Sequence, residues 1–346
     1  MSATAPRLLR LGNAVAVPVT RRGMTYAWSV TAVVTVLAVA TLSLGDLGVP
    51  LDHLPRALTG GADGAEAFVL ERLRGPRLVV AVTAGAALAV SGSLFQTVTR
   101  NPLASPDVIG LTAGAGAGAT AASLFWSGAV PVPVGAVAGA VSAAMLVHLS
   151  TGRGFSSPSH VIIAGIGVAA MALALIQYVV LVGMRDQSAA LAGYLAGSLS
   201  ARSWQHAALV GAALLLLLPA AALMGQRLRL IEMGDELADA LGGEAHRTRF
   251  WSLVVAIALA AAAVAVAGPI SFVSLTAPQV AKRITRAPGA AVFSTALTGS
   301  LILVVADLAG QQAPVVRDLP VGILTAGVGG LYLGFLLVRE WKKGTL

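Results

Sequence analysis

The sequence predicts an all-α, polytopic membrane protein, and three observations carry that expectation. Of 346 residues, 57% are hydrophobic and 11% are charged, against roughly 25% charged in an average soluble domain. The charged residues gather in short clusters, separated by apolar runs long enough to cross a bilayer. Mean hydropathy is +0.84, and no polar stretch is long enough to make a soluble domain. The net charge of +8 would suit nucleic acid. The basic residues, however, lack interleaved aromatics and a domain to display them, so no nucleic-acid partner is expected. The absence of cysteine excludes disulfides, thiolate catalysis and zinc–thiolate sites.

Residues 1–24 carry Arg7, Arg10, Arg21 and Arg22 and are read as a cytoplasmic tail. A cleavable signal would hand over to a soluble body. More membrane follows here, so residues 25–44 are read as a retained first span. The loop from Gly45 to Gly75 bears Asp46, Asp52, Asp63, Glu66 and Glu71 and belongs outside. Charge-free gaps from Arg77 to Arg100, Arg202 to Arg227, Arg286 to Asp307 and Asp318 to Arg339 each fit one further helix of about 20 residues. The gap from Asp107 to Arg153 is twice as long and breaks at Pro131-Val132-Pro133, so it holds two helices. Arg153 to Arg185 holds another. The 15-residue uncharged run between Asp186 and Arg202 is too short to span and suits a surface or re-entrant helix.

The gap from Arg249 to Lys282, broken at Gly268-Pro269, is too short for two full helices. Basic residues near span ends concentrate on the cytoplasmic side. With Arg21 and Arg22 inside, Arg100, Arg153 and the group Arg227, Arg229, Arg247 and Arg249 fall inside too. A short extra helix from about Ser271 to Ile284 keeps Lys282, Arg283, Arg286, Arg339, Lys342 and Lys343 inside as well. The expectation is therefore ten spans within residues 25–338, a cytoplasmic tail at 339–346 and both termini in the cytoplasm. Seven of the 23 basic residues (Arg56, Arg72, Arg74, Arg77, Arg185, Arg202 and Arg317) then lie outside.

Gly and Ala fill most spans, as in Thr112–Ala119, Gly135 with Gly139, and Gly165 with Gly167. Lipid gives no hydrophobic drive between helices, so small residues that let backbones approach do the packing. Gly165-x-Gly167-x-x-Ala170 is read as packing rather than a dinucleotide fingerprint, because no strand precedes it. No Walker A sequence, zinc-ligand pair or nucleophile elbow occurs, so no catalytic, metal-binding or cofactor-binding residue is expected. Mid-span carboxylates, the usual mark of ion coupling, are scarce. Asp307 sits near the outer end of its helix and reads as a helix-end or interhelical contact. Energy for transport must therefore come from elsewhere.

The longest cytoplasmic segment, Gly225 to Arg249, centres on Met233-Gly-Asp-Glu-Leu-Ala-Asp-Ala-Leu-Gly242. Leu237 and Leu241 fall on one helical face, with Asp235, Glu236 and Asp239 mostly on others. An acidic face suits anionic lipid poorly, so docking into a groove on a cytosolic partner is the better use.

Five blocks now resemble one family in order along the chain, the permease subunit of type II ABC importers, which carries ferric siderophores, haem and cobalamin. Arg74-Gly-Pro-Arg77 with Ala84–Gly92 and Gln96 resembles its second span. Arg100-Asn-Pro-Leu-Ala-Ser-Pro-Asp-Val-Ile-Gly110 is similar to its cytoplasmic turn, and Met233–Ala238 to its coupling helix. Gly268–Leu275 and Leu319–Ala326 match two further blocks. The resemblance implies a ten-helix subunit in a bacterial plasma membrane, paired with a second permease, itself or a paralogue. It also implies two cytosolic ATPase subunits that bind ATP and Mg, and an external binding protein that delivers a ferric siderophore. Cobalamin and haem are the alternatives. Gly234, Asp235, Glu236, Leu237, Ala238, Leu241 and Gly242 would engage the ATPase. Arg74 and Arg77 would meet acidic residues of the binding protein, ordinary interfacial anchoring being the other reading.

The chain departs from the family pattern in three places. Ala277-Pro278-Gln279 replaces Val-Pro-His, Arg286-Ala-Pro-Gly289 replaces an Asp-His-Arg block, and Gln311 replaces an external arginine, for which Arg317 is expected to substitute. In the turn, Arg100, Asn101, Pro102, Pro106 and Asp107 are read as a rigid link between two spans rather than as an ATPase contact. The two prolines end one helix and set the entry to the next, and Asp107 is expected to accept from free backbone N–H groups at that entry. An ion-coupled carrier, an intramembrane enzyme and a scaffold are the competing classes. They want mid-span carboxylates, a catalytic dyad or a large polar domain.

Overall fold

The computed structural model describes residues 7–11, 15–45, 47–151, 158–183, 188–287, 289–317 and 319–342. Arg153, Arg185, Asp186, Asp318 and Lys343 lie outside the described residues. Two short strands, β1 (Arg7–Leu11) and β2 (Val15–Val19), pair antiparallel within the expected N-terminal tail. The rest of the described chain is helices and their connections, so the all-α expectation holds for the body and misses this hairpin. α1 (Arg21–Ser43) starts four residues before the expected span, because the Thr20 side chain caps it by accepting from Gly23 N–H at 3.0 Å. The loop that follows α1 contains α2 (Leu54–Arg56), α3 (Gly64–Phe68) and two π-turns, Ala57–Gly61 and Val69–Leu73.

α4 (Arg74–Thr99) follows, then a 3-10 turn at Pro106–Ile109, α5 (Leu111–Phe125) and α6 (Val132–Ser150), divided where the prolines predict. α7 (Pro158–Gly183) precedes α8 (Ser188–Leu195), the short helix expected after Asp186. α9 (Trp204–Glu232), α10 (Asp235–Ala240) and α11 (Ala245–Ala267) come next. α12 (Val273–Thr285) is the short extra helix that the charge pattern demanded, and α13 (Val292–Gln312) and α14 (Val321–Lys342) complete the bundle. Among the described residues, seven helices are long and apolar enough to cross a membrane.

α4 is the axis of the bundle, packed against α9, α11, α12 and α13, and from Ala84 to Val98 every residue is buried. Small residues allow this. A Cβ on Gly85 would lie 2.4 Å from the Gly299 carbonyl oxygen of α13. Side chains on α4 and its neighbours then pair with backbone carbonyls across the gaps. The Ser91 hydroxyl donates to Ala256 O at 2.7 Å, Gln96 Nε2 to Leu275 O at 3.0 Å, and the Ser300 hydroxyl to Val82 O at 2.8 Å. Pro278 inside α12 has no N–H for the Ser274 carbonyl one turn back. That freed oxygen turns to Gly92, where a Cβ would stand 1.7 Å from it. The outer helices expose aliphatic side chains, such as Ile163 and Leu181 on α7 and Leu215 and Leu216 on α9, as a surface facing lipid or another apolar partner must.

Candidate functional site

The turn after α4 and the segment around α10 are separate in sequence but form one site. α4 ends because Arg100 adopts the left-handed conformation (φ 51°), and its N–H and that of Asn101 close back on the last turn. Asn101 Oδ1 then accepts from Leu103 N–H at 2.9 Å, a local turn that holds Pro102 in place. Gly110, at φ 70°, lets the chain pass so close to α7 that a Cβ would lie 3.0 Å from Ala169 N and 3.2 Å from Gly165 O. Gly165, singled out for packing, therefore packs against the turn.

Arg100 reaches from this turn across to the other segment. Its Nε donates to Ile231 O at 2.7 Å, and one terminal nitrogen pairs with Asp235 Oδ1. Asp235 is also gripped by Arg249 of α11, through two bonds of 2.6 and 2.7 Å. Such two-pronged guanidinium–carboxylate pairs fix orientation as well as distance. Asp239 accepts from Ala245 N–H at 2.7 Å and so caps α11. Two of the three acids expected on the face of α10 are thus satisfied internally, while Glu236 remains exposed. Ala238 is buried against α9 and α11, and Gly234 and Gly242 supply the positive φ values at the two ends of α10. Met233, Leu237 and Leu241 are exposed, Leu237 by 43% and Leu241 by 57%. They form an apolar face on a segment otherwise held by polar bonds.

Two groups that sequence reasoning did not select complete the site. Gln279 Nε2 donates to Pro102 O at 2.9 Å, tying α12 to the turn. Glu232, at the end of α9, accepts from Gly289 N–H at 3.0 Å and faces Lys282 Nζ of α12 at 3.8 Å. The departure from the family pattern at Gln279 was the one sequence signal that marked this position. Beside the group lies a cavity of about 400 Å³, walled by Phe95, Val98, Ile109, Val161, Leu253 and the Arg100–Asp235–Arg249 cluster. The Asp107 side chain is half-buried, with the Thr112 hydroxyl as its hydrogen-bond partner, and burial pushes its carboxyl up to about 6.

At the opposite end of the bundle, Arg77 and Asp307 form an ion pair between α4 and α13, with contacts of 2.8 to 3.1 Å. Gln311 adds a bond to the same carboxylate at 2.7 Å. Asp307 is thus the interhelical contact that its position suggested, and Gln311, noted as a replaced arginine, supports it. Arg74 donates to Thr41 O at 2.7 Å and to Leu44 O, bracing the end of α1. Arg317 is exposed on the connection between α13 and α14.

Residues 33–339 match the model of the FecCD transport family. The chain belongs to that family. It is 40% identical over 288 residues to the ferric enterobactin transport system permease protein FepG of Escherichia coli (strain K12), covering 83% of this chain and 87% of the relative. To the Fe(3+)-citrate import system permease protein YfmE of Bacillus subtilis (strain 168) it is 37% identical over 314 residues, covering 90% and 94%. A solved structure of an inward-facing metal-chelate type ABC transporter superposes with a TM-score of 0.81, covering 91% of this chain and 99% of that one. At 24% identity that likeness is one of fold. The family resemblance carried by the five sequence blocks is borne out.

Proposed function

We propose that this FecCD-family chain is the membrane permease of an ATP-driven importer of ferric siderophores, forming its path with a second permease and opening it to each side in turn. The observation that carries the substrate is the identity of 40% with a ferric enterobactin permease and 37% with a ferric citrate permease, each over more than four-fifths of this chain. Haem and cobalamin remain the competing cargoes. α5, α12 and α14 join the seven helices that are long and apolar enough to cross a membrane, giving ten spans, with both termini in the cytoplasm of a bacterium and the turn and α10 on that side. No ATP chemistry is assigned to this chain. Met233, Leu237 and Leu241 offer an apolar face to an ATPase subunit, and Gly234, Asp235, Glu236, Ala238 and Gly242 shape and position it.

On the outer side, Arg74, Arg77 and Arg317 are assigned to docking of the binding protein. Arg74 and Arg77 also brace α1 and α13, so Arg317 has the greatest freedom to meet a partner's carboxylate. R317E is expected to weaken binding-protein affinity by about tenfold or more; unchanged affinity removes Arg317 from the docking surface. The substrate is tested by uptake of radiolabelled iron in iron-limited cells lacking and regaining this chain. Complementation with a ferric siderophore, and none with labelled cobalamin or haem, supports the assignment. The reverse pattern overturns it.

A further inference from the structure

We infer that Arg100 is the residue through which a displacement of α10 reaches α4, a positioning role that rests on the reading of α10 as the ATPase contact. Asp235 has two arginine partners of different kinds. Arg249 lies 14 residues along the chain, and its two-pronged grip joins α10 to the neighbouring α11. The Asp239 cap on Ala245 and the bond from the Thr248 hydroxyl to Gly243 O at 2.8 Å strengthen the same local unit. Arg100 comes from 135 residues away, at the end of the central helix. It touches the last turn of α9 through Ile231 O and the first residue of α10 through Asp235. Two attachment points transmit rotation as well as translation.

Three further observations favour transmission over simple helix capping. The backbone of Arg100 is left-handed, a conformation in which glycine is the ordinary and less strained residue after a helix. Arginine there carries a backbone strain that glycine would not. Next, the cavity of about 400 Å³ opens beside the Arg100–Asp235–Arg249 group, so the cluster borders open space on that side. Beside that space, the polar contacts of Arg100 join the end of α4 to Ile231 and Asp235. Finally, the turn is already tied onward to α12 by Gln279 at 2.9 Å. A pull on Arg100 is thus delivered to both α4 and α12.

The test uses the complete transporter, with ATPase and binding protein, in proteoliposomes, and reads substrate carried per ATP hydrolysed together with the thermal midpoint of the permease. R100Q is expected to lower the transport ratio by about tenfold while basal ATP hydrolysis continues. R100G separates the two roles, because glycine relieves the backbone strain and caps α4 equally well. It is expected to keep the wild-type midpoint and still lose the ratio. An R100G transporter with the wild-type ratio overturns the inference, whatever R100Q does. L237D in the same assay protects the distinction. If L237D abolishes transport and R100G does not, the Arg100 role falls and the α10 contact stands. If L237D transports normally, the reading of α10 fails as well.

Discussion

Replacing Arg77 by methionine should be far more damaging than neutralising its partner. Asp307 has a side chain only 2% exposed, whereas that of Arg77 is 23% exposed. R77M leaves a buried carboxylate that keeps the bond from the Gln311 amide but loses its counter-charge. Breaking a buried pair in this way costs about 3–5 kcal/mol. D307N leaves a guanidinium at the end of a long stem that can turn its head toward water, so the cost drops to about 1–2 kcal/mol. With an unfolding entropy of about 2.1 cal/mol/K per residue over 346 residues, these losses become midpoint shifts of about 5 °C and about 2 °C. The double variant R77M/D307L replaces the pair by apolar groups and should recover most of the loss. Fluorescence-monitored thermal unfolding in detergent reads all three. Equal shifts for the single variants, or an R77M midpoint within about 1 °C of wild type, would refute the argument. A residue used solely for docking would change binding-protein affinity and leave the midpoint alone.

Two other substitutions probe the packing and the turn. G92A places a methyl 1.7 Å from the Ser274 carbonyl oxygen, which backbone cannot yield. It should therefore abolish folded protein on size-exclusion chromatography, whereas G327A, with nothing within 4 Å of the added methyl, should elute as wild type. Asp107 has its folded pKa raised to about 6 from 3.8. The folded state therefore holds the proton that the unfolded chain releases, and stability falls as pH rises through that window. D107N should remove this slope, so its stability relative to wild type should be greater at pH 7.5 than at pH 5 by about 1.4 kcal/mol. A D107N protein with the wild-type pH profile would show that the carboxyl is already solvated.

The helices were legible because long apolar runs punctuated by charge leave few alternatives in a bilayer. Even the short α12 followed from the side on which Lys282 and Arg283 had to fall. The hairpin at 7–19 was missed because a short stretch read as a tail has no periodicity long enough to register. Within the site, Leu237 and Leu241 could be assigned to one face from their spacing. That Asp235 and Asp239 would be consumed internally could not, since their partners Arg249 and Ala245 N–H lie beyond the turn of α10. The Arg100–Asp235 link and the bond from Gln279 to Pro102 span 135 and 177 residues, and no local pattern predicts contacts of that range. The turn and the α10 segment were accordingly read as separate parts, when side chains on both make them one.

Reconstitution of the permease with its ATPase and binding protein, comparing wild type with L237D, tests the central claim most directly. Uptake of a ferric siderophore that requires ATP, persists when ion gradients are collapsed, and vanishes in an inserted and folded L237D variant is the result expected. Uptake that runs on an ion gradient without the ATPase, or normal ATP-coupled uptake by L237D, would contradict it.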